Sequence, residues 1–253
     1  MQHQLARIPI TGLGQRVTGF CTTRAGGMSQ NAYASLNLAE HVQDDPQRVT
    51  LNRRTLEQAL PDQPVWLNQV HGTDVLRIGR DPVTEGVQAD ASVTTERDRV
   101  LAIMTADCLP VVLTNNAGTV LGVAHAGWRG LANGVLSQTL QAMQQAVGSI
   151  GAWRAWIGPC ISQQCFQVGS DVLDAFTEID PALARFFLMD STTEGKWLCD
   201  LPAMACHLLM SMGAEKANWC GLCTVSDAEQ RFYSYRRDGQ TGRMATVAWL
   251  SAN

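Results

Sequence analysis

The sequence predicts a mixed fold of the α/β or α+β class, built as a single domain over residues 1–253. Apolar runs of strand length alternate with helix-like segments along the whole chain, which is the pattern of sheets covered by helices. Hydrophobic residues make up 45% of the chain and charged residues 17%, a composition typical of globular rather than disordered proteins. No internal repeat or low-complexity linker divides the sequence, so one domain is favoured over two.

Four stretches have helical character. They are residues 46–60, 131–147, 170–179 and 201–213. In the first of them, Val49, Leu56 and Leu60 recur at helical spacing and fall on one face. Pro46 stands near its start, where the missing N–H of proline has no helical partner to lose.

Ten stretches have strand character, because they are rich in apolar and β-branched residues. They are residues 16–27 (entering a glycine-rich turn), 64–71, 74–78, 88–95, 99–116, 119–130, 152–158, 217–221, 231–235 and 244–250. The stretch 99–116 is interrupted at residues 106–108 and at Pro110, so it predicts two strands and a turn. The stretch 119–130 runs into a loop rich in glycine and arginine.

Charge and hydropathy argue against two classes of partner. The formal net charge is −4, from 19 basic and 23 acidic residues spread along the chain, so no nucleic-acid-binding face is expected. The apolar runs are far too short to span a bilayer. The first residues lack the apolar core of a secretory signal, so we expect a cytoplasmic protein. We separately expect it to be a monomer. In that reducing compartment the eight cysteines are expected to be buried thiols, ligands or nucleophiles rather than disulfides.

Three strand-like runs end in a potential metal ligand followed by small residues. They are NQVHG with His71, TADCLP with Cys108 and VAHAGWRG with His125. Imidazole and thiolate are the usual ligands of zinc, and three protein ligands leave a position open for water or substrate. Two histidines with hydrogen-bond partners and a buried cysteine are the alternative interpretation. The wide spacing of the three residues favours a catalytic site over a structural one.

Asp107 and four arginines are further candidates for the site. Asp107 stands between two apolar runs, where a carboxylate is costly to bury unless it is paired or catalytic. Arg129 lies in a glycine-rich segment ahead of a predicted helix, a setting that suits phosphate or carboxylate. Arg24 in TTRAGG, and Arg236 and Arg243 in YSYRRDGQTGR, could also bind an anion. A salt bridge or a turn cap for Asp107, and solvated turns for the arginines, are the alternatives.

Cys220 and Cys223 form a single CxxC pair. Without a second pair this is a weak zinc signal. A thioredoxin-like site needs the motif at the start of a helix, whereas WCGLCTVSD has the character of a strand and its exit. Neither function is expected for this pair.

A set of motifs together resembles the YfiH-like family, whose members have been called laccase-like or polyphenol oxidoreductases, purine nucleoside phosphorylases and peptidoglycan editing factors. The motifs are SLNLAEHVQDDP, NQVHGTDV, ADASVTT, TADCLPV, AHAGWRG, IGPCIS and FYSYRRDGQTGR. They occur in one order from about Phe20 to about Trp249. Cys165 is a departure, because an aromatic residue is common there.

This resemblance implies a fold, a metal and a set of reactions. The fold is a layered α-β-β-α sandwich with mixed sheets, and the metal is zinc bound by His71, Cys108 and His125. The implied reactions are phosphorolysis of adenosine, inosine, guanosine and 5′-methylthioadenosine, and deamination of adenosine. The alternative is an amidase that removes L-serine from the cell-wall precursor UDP-MurNAc-L-Ser.

The residues constrain how each reaction would proceed. Deamination would use zinc-activated water, with Asp107 as a candidate proton carrier, and phosphorolysis would need an arginine for phosphate. The amidase could use zinc-activated water or Cys108 as nucleophile with His125 as base. A multicopper oxidase is not expected, because the chain has five histidines and no HxH pair, although a single copper ion remains chemically possible. A ligand-binding protein with a vestigial site is the non-enzymatic alternative.

Overall fold

The computed structural model describes residues 5–83 and 86–252. The strands within these residues are β1 Arg7–Pro9, β2 Val17–Thr22, β3 Val75–Ile78, β4 Ala91–Thr94, β5 Leu101–Thr105, β6 Leu109–Asn115, β7 Leu121–Ala126, β8 Trp153–Ile157, β9 Gln167–Val168, β10 Phe187–Met189, β11 Trp197–Cys199, β12 Lys216–Trp219 and β13 Met244–Leu250. The α-helices are α1 Pro46–Glu57, α2 Trp128–Ala132, α3 Val135–Val147, α4 Ser170–Thr177, α5 Leu201–Ser211 and α6 Tyr235–Asp238. Short 3₁₀ turns cover Asn31–Tyr33, Gln163–Cys165 and Pro181–Phe186.

The strands form two large sheets and one small one. The four-stranded sheet has the order β1-β2-β13-β5, and its pairs are antiparallel. The six-stranded sheet has the order β12-β8-β6-β7-β4-β3. It is mixed, because β12–β8 and β3–β4 are parallel and its other pairs are antiparallel. The small sheet has the order β10-β11-β9.

The two large sheets pack face to face between helices. Because successive side chains of a strand point to opposite faces, Val111 of β6 packs in the same apolar cluster as Met143 of α3, whereas Val112 lies in the cluster between the sheets. On the outer face of the four-stranded sheet, Val247 of β13 shares a third cluster with Leu56 of α1. The layer order is therefore α-β-β-α. The predicted mixed α/β class with layered sheets is confirmed.

Two stretches predicted as strands are not strands. Residues 64–71 pair only through isolated bridges, Val65 with Leu101 of the four-stranded sheet and Asn68 with Gln88 beside the six-stranded sheet. The segment thus passes from the edge of one sheet to the edge of the other, which prevents a continuous ladder. Residues 231–234 form an irregular segment in which Phe232, Tyr233 and Ser234 are buried, and Tyr235 is already the first residue of α6. The Tyr233 N–H donates to the sulfur of Met244.

The segment after His125 also differs from its prediction. The predicted glycine- and arginine-rich loop is the short helix α2, and the periodic stretch 131–147 is divided between α2 and α3. The division lies at Gly134, whose φ of +90° suits glycine because it has no Cβ. Pro110 does not interrupt a strand. It lies in β6, and the β6–β8 ladder begins beside it at Val111, so its missing N–H costs no pairing.

Within the described residues, no helix is both long enough and apolar enough to cross a bilayer.

Candidate functional site

His71, Cys108 and His125 converge at one end of the six-stranded sheet. His71 lies in the turn before β3, Cys108 in the turn between β5 and β6, and His125 in β7. Their candidate ligand atoms all lie within 4.8 Å of one another, and Cys108 Sγ is 3.9 Å from His71 Nε2. The β6–β7 ladder, in which Pro110 faces His125, brings the second and third of these residues together.

A buried carboxylate, Asp90, holds both histidines in place. Oδ1 accepts hydrogen bonds from the His71 N–H at 2.9 Å and from His125 Nδ1 at 2.8 Å. Oδ2 accepts from the N–H groups of Val70 at 3.0 Å and Gly72 at 2.7 Å. The turn that carries His71 therefore wraps around this carboxylate, with His71 itself at a φ of +62°. Because Nδ1 of His125 is occupied, Nε2 is the ring atom left to face the site.

The ionisable groups of the site shift one another's pKa values. Burial by itself raises the pKa of Asp90, but hydrogen bonds from His125, Gly72 and Val70 lower it below its usual value. Burial also raises the pKa of the Cys108 thiol, yet His125 and His71 lower it to about 6. Burial lowers the pKa of His125, and Cys108 and Asp90 raise it to about 9. Cys108 and His125 thus each favour the charged form of the other.

This group of donors fits a transition metal. In the part of the chain that the structure describes, it is the one cluster of three or more histidine, cysteine or acidic side chains with ligand atoms this close. Two imidazoles and a thiolate suit zinc, and they also suit copper. The Asp90–His125 hydrogen bond is the partner that metal-ligating histidines usually have. The exposure of the three residues runs from the buried His125 to the exposed His71, so one side remains open to a reactant.

The three residues line a cavity of about 240 Å³. Its other lining residues are His41, Gln69, Met104, Thr105, Ala106, Tyr235 and Arg243. The Gln69 amide is fixed by hydrogen bonds with the main chain of Met104, both 2.8 Å long. The Thr105 hydroxyl is buried and has no hydrogen-bond partner among the described residues. The Tyr235 side chain is 64% exposed.

A second cavity of about 410 Å³ adjoins the first and shares His41, Tyr235 and Arg243 with it. Thr241 lines this outer cavity, and its hydroxyl is also buried without a partner. Together the two cavities form a cleft with Arg243 between its two parts. A ligand larger than the inner cavity can therefore extend outward past this arginine.

The four arginines predicted to bind substrate occupy different positions relative to the cleft. Arg243 lines the cleft, with Nη1 held by the carbonyl oxygens of Thr241 and Gly242 at 3.0 Å each. Arg129 is exposed and stacks on Trp128.

Arg24 and Arg236 are engaged elsewhere. Nε of Arg24 donates to the Ala34 carbonyl at 2.8 Å, and the Arg236 guanidinium donates to the Gln167 carbonyl at 2.8 Å. A substrate-binding role for these two and for Arg129 stays a prediction.

Asp107 precedes Cys108 and anchors the turn that carries it. Its carboxylate accepts hydrogen bonds from Thr224 Oγ1 at 2.6 Å and from the Arg236 N–H at 2.7 Å, and its carbonyl accepts from the Ile161 N–H at 2.9 Å. Its φ is +93°. These contacts favour a positioning role, and the predicted proton-carrying role of Asp107 stays a prediction.

Sequence reasoning missed several residues of the site. Asp90 could have been found, since it stands directly before a buried apolar run, which is the feature that singled out Asp107. His41 and Tyr235 lie in motifs that carried the family resemblance, but no local pattern assigned them a role. Gln69 and Thr105 have no sequence signal, because their position in the cleft depends on how distant segments pack.

Comparisons with known proteins agree with this architecture. A family model described as "Multi-copper polyphenol oxidoreductase laccase" matches residues 18–251. Proteins named "Purine nucleoside phosphorylase YfiH" from Shigella flexneri and from Escherichia coli K12 are 41% and 42% identical to this chain, over 96% and 92% of its length and 98% and 94% of theirs. The crystal structure of Neisseria meningitidis protein NMB0706 superposes with a TM-score of 0.86 at 41% identity, and the match covers 97% of this chain and 99% of that one. The chain therefore belongs to the YfiH-like family, to which the laccase description of the family model is attached.

Proposed function

We propose that this protein is a zinc-dependent purine nucleoside phosphorylase that cleaves adenosine, inosine, guanosine and 5′-methylthioadenosine and also deaminates adenosine. The observation that carries the proposal is the convergence of His71, Cys108 and His125 beside an open cleft. The names of the curated relatives supply the class of reaction. When bound, zinc supplies a Lewis acid that polarises oxygen atoms and makes water a stronger nucleophile.

In phosphorolysis, phosphate forms a bond to C1′ of the ribose while the bond to the purine breaks. Arg243 is the proposed phosphate ligand, because its Nη1 is fixed by carbonyl oxygens and the residue lines both cavities of the cleft. The exposed ring of Tyr235 offers a flat apolar surface for the purine. The leaving purine needs a proton or a hydrogen bond at N7, and the His41 imidazole in the cleft wall is the proposed donor.

Deamination of adenosine replaces the amino group at C6 with oxygen from water and releases ammonia. The buried Thr105 hydroxyl is the proposed partner for a purine edge atom. Asp107 remains the proposed proton carrier. It would have to exchange one of its two side-chain hydrogen bonds to take up a proton.

Product analysis tests this proposal directly. With adenosine as substrate, adenine and ribose 1-phosphate should form only when phosphate is present, and inosine should form without it. His71→Ala and Cys108→Ala should each abolish both reactions with an unchanged circular dichroism spectrum, because each removes a ligand. Cys206→Ala, at a partly exposed cysteine on α5, is the matched control and should keep wild-type turnover. Full activity in either ligand variant would refute the site.

Arg243→Gln tests the phosphate site. Loss of a charge-assisted hydrogen bond should raise KM for phosphate by about ten- to a hundredfold, and the KM for nucleoside should change less. Arg129→Gln is the comparison, because Arg129 is exposed and stacks on Trp128. If Arg129→Gln raises the phosphate KM and Arg243→Gln does not, the phosphate ligand is Arg129.

The amidase remains a second candidate because of one observation. The Cys108 sulfur and a His125 ring nitrogen lie within 4.8 Å of each other, and each group favours the charged form of the other, which is also the relation of a cysteine nucleophile to its base. UDP-MurNAc-L-Ser and UDP-MurNAc-L-Ala, each with and without a chelator, discriminate the mechanisms. Release of L-serine that survives metal removal would assign Cys108 as the nucleophile, whereas loss of that release would assign it as a ligand.

The identity of the metal is open to a simple measurement. Two imidazoles and one thiolate suit copper as well as zinc, and the family model bears a multi-copper description. Five histidines in the whole chain are too few for a multicopper oxidase. Elemental analysis of purified protein should give one zinc per chain. A stoichiometric copper content with turnover of phenols would overturn the proposal.

A further inference from the structure

A pair of neighbouring cysteines lies outside the candidate metal site. It contains Cys165 and Cys223, which are both free and partly exposed. Cys223 Sγ accepts hydrogen bonds from the N–H of Ser162 at 3.4 Å and from its hydroxyl at 3.1 Å. The side chains of Ser162 and Ser226 lie close enough to influence the pKa of both thiols, and Cys223 lies close enough to influence the pKa of Cys165. We call these four residues the thiol cluster.

The backbone fixes the two sides of the thiol cluster against each other. Cys160 and Cys223 form a parallel bridge, and the Thr224 N–H donates to the Cys160 carbonyl at 3.0 Å. Cys165 follows Ser162 by one 3₁₀ turn, closed by a hydrogen bond from the Cys165 N–H to the Ser162 carbonyl at 3.1 Å. The two thiols therefore meet because two separate segments of the chain are paired beside them.

The two thiols differ in acidity. Burial raises the pKa of Cys223, but the hydroxyls of Ser162 and Ser226 lower it to about 7. For Cys165, burial and the neighbouring Cys223 raise the pKa above its usual value. Cys220, the other member of the CxxC motif, has a pKa raised to about 11 by burial. One accessible thiolate beside a protonated thiol is the arrangement of an oxidisable cysteine with its resolving partner.

We propose that Cys165 and Cys223 are a site of oxidative modification, at which a small peroxide converts the two thiols to a disulfide. The Cys223 thiolate attacks a peroxide oxygen, the O–O bond breaks, and hydroxide leaves and is protonated to water. The Cys165 sulfur then gives up its proton and attacks the Cys223 sulfenic acid. The S–O bond breaks and a second water leaves. Two thiols are oxidised and one hydrogen peroxide is reduced to two waters.

The thiol cluster is connected to the candidate metal site through Asp107. The hydroxyl of Thr224, which follows Cys223, donates to the Asp107 carboxylate at 2.6 Å. The N–H of Ile161, which precedes Ser162, donates to the main-chain carbonyl of Asp107 at 2.9 Å. A disulfide removes the thiolate that Ser162 hydrogen-bonds and so disturbs both anchors of the turn that carries Cys108. Oxidation of the cluster is therefore expected to lower turnover at the site.

Disulfide mapping tests the modification without reference to any activity. Metal-replete protein is treated with hydrogen peroxide, its free thiols are alkylated, and tryptic peptides are analysed by mass spectrometry. Trypsin leaves Cys165 with Cys160 in one peptide and Cys223 with Cys220 in another, so variants must assign the bond. The cross-linked peptides should form in wild type and in Cys220→Ser, and should be absent in Cys165→Ala and in Cys223→Ser. Free thiols at both positions in peroxide-treated wild type would overturn the proposal, and so would a cross-link that survives Cys223→Ser.

Two further readouts separate Cys223 from its neighbours. At pH 7, iodoacetamide should label Cys223 at least about tenfold faster than Cys220, because only the former is substantially thiolate. Equal labelling would contradict the assigned reactivity. Peroxide should lower nucleoside turnover of wild type, and dithiothreitol should restore it, whereas Cys223→Ser should keep its turnover. If Cys223→Ser loses turnover equally, Cys108 is the sensitive thiol and the connection through Asp107 is wrong.

Discussion

Asp90 is the residue on which the geometry of the candidate site depends most. Its carboxylate accepts four hydrogen bonds, one from the His125 ring and three from the turn that carries His71. A buried charge is stable only when it is paired and hydrogen-bonded, and here the same contacts orient two candidate ligands. One side chain thus fixes both the tautomer of His125 and the path of the His71 turn.

Asp90→Asn is expected to weaken metal binding by about ten- to a hundredfold. The asparagine keeps the volume but offers one acceptor oxygen, so its NH₂ group must face at least one of the four donors. Zinc titration against a chromogenic chelator gives the affinity, and circular dichroism monitors the fold. Asp74→Asn, at an exposed aspartate in the same turn region, is the control and should bind zinc as wild type does. Unchanged affinity in Asp90→Asn would show that the His125 tautomer is set in another way.

At the scale of single residues, the sequence identifies the candidate metal ligands better than it identifies the residues that hold those ligands in place. His71, Cys108 and His125 were selected because each ends an apolar run and can bind metal, and the structure brings them together. Asp90 was passed over, although its position before a buried strand is an equivalent signal. Residues such as Gln69 enter the site through long-range packing, which no local pattern records.

At the junction of β7 and α2, the main chain of Gly127 lies directly against two candidate metal ligands, His71 and Cys108. A Cβ built on Gly127 would lie 2.8 Å from His71 Cδ2 and 3.1 Å from Cys108 Sγ. The φ of Gly127 is −65°, which any residue can adopt. Glycine is therefore required here for the space it leaves and not for its conformation.

Gly127→Ala should impair the candidate metal site while the fold is kept. The added methyl group must displace the His71 ring or the Cys108 sulfur, so zinc content and turnover should both fall sharply. Gly79→Ala is the matched control, because a Cβ there meets nothing within 4 Å. The metal content of both purified variants, with their melting temperatures, provides the measurement. Wild-type zinc content in Gly127→Ala would mean that the ligands do not occupy the positions described.

At the scale of elements, prediction succeeded where one local pattern decides the structure. The run Met244–Leu250 is the strand β13 because six of its seven residues are apolar and all seven are buried. Residues 64–71 begin with a similar apolar run, yet their bridges join Leu101 of one sheet and Gln88 beside the other. Strand propensity is overridden there by the need to cross between layers.

The whole molecule is stabilised by three apolar clusters, one on each side of the paired sheets and one between them. Because successive side chains of a strand point to opposite faces, the apolar strand sequences predict that the sheets have buried faces. They do not predict which sheet or helix covers each face. The order of the layers came from the family resemblance and was confirmed by the packing. Burial on both faces also explains Cys21. Cys21 of β2 lies fully buried in the cluster between the sheets, where it acts as a small apolar side chain.

Burial of Cys21 predicts how the stability of the protein responds to alkaline pH. Burial raises the pKa of this thiol from 9.0 to about 12. Above pH 9 the unfolded chain therefore loses this proton while the folded chain keeps it. The stabilisation that results from this difference in pKa is complete below pH 9. It declines as pH rises toward 12, with a slope of about −1.4 kcal/mol per pH unit in the free energy of unfolding.

Cys21→Ala should make the alkaline decline in stability shallower by up to that slope, as measured by urea unfolding between pH 8 and about 10.5. The variant is expected to be less stable at every pH because it leaves a small cavity, so the slope and not the absolute value is the readout. Val247→Ala opens a comparable space in neighbouring β13 without removing a titrating group, and should keep the wild-type slope. Identical slopes in all three proteins would mean that the Cys21 thiol ionises as readily in the folded chain as in the unfolded one. The region between the sheets would then be wetter than its packing implies.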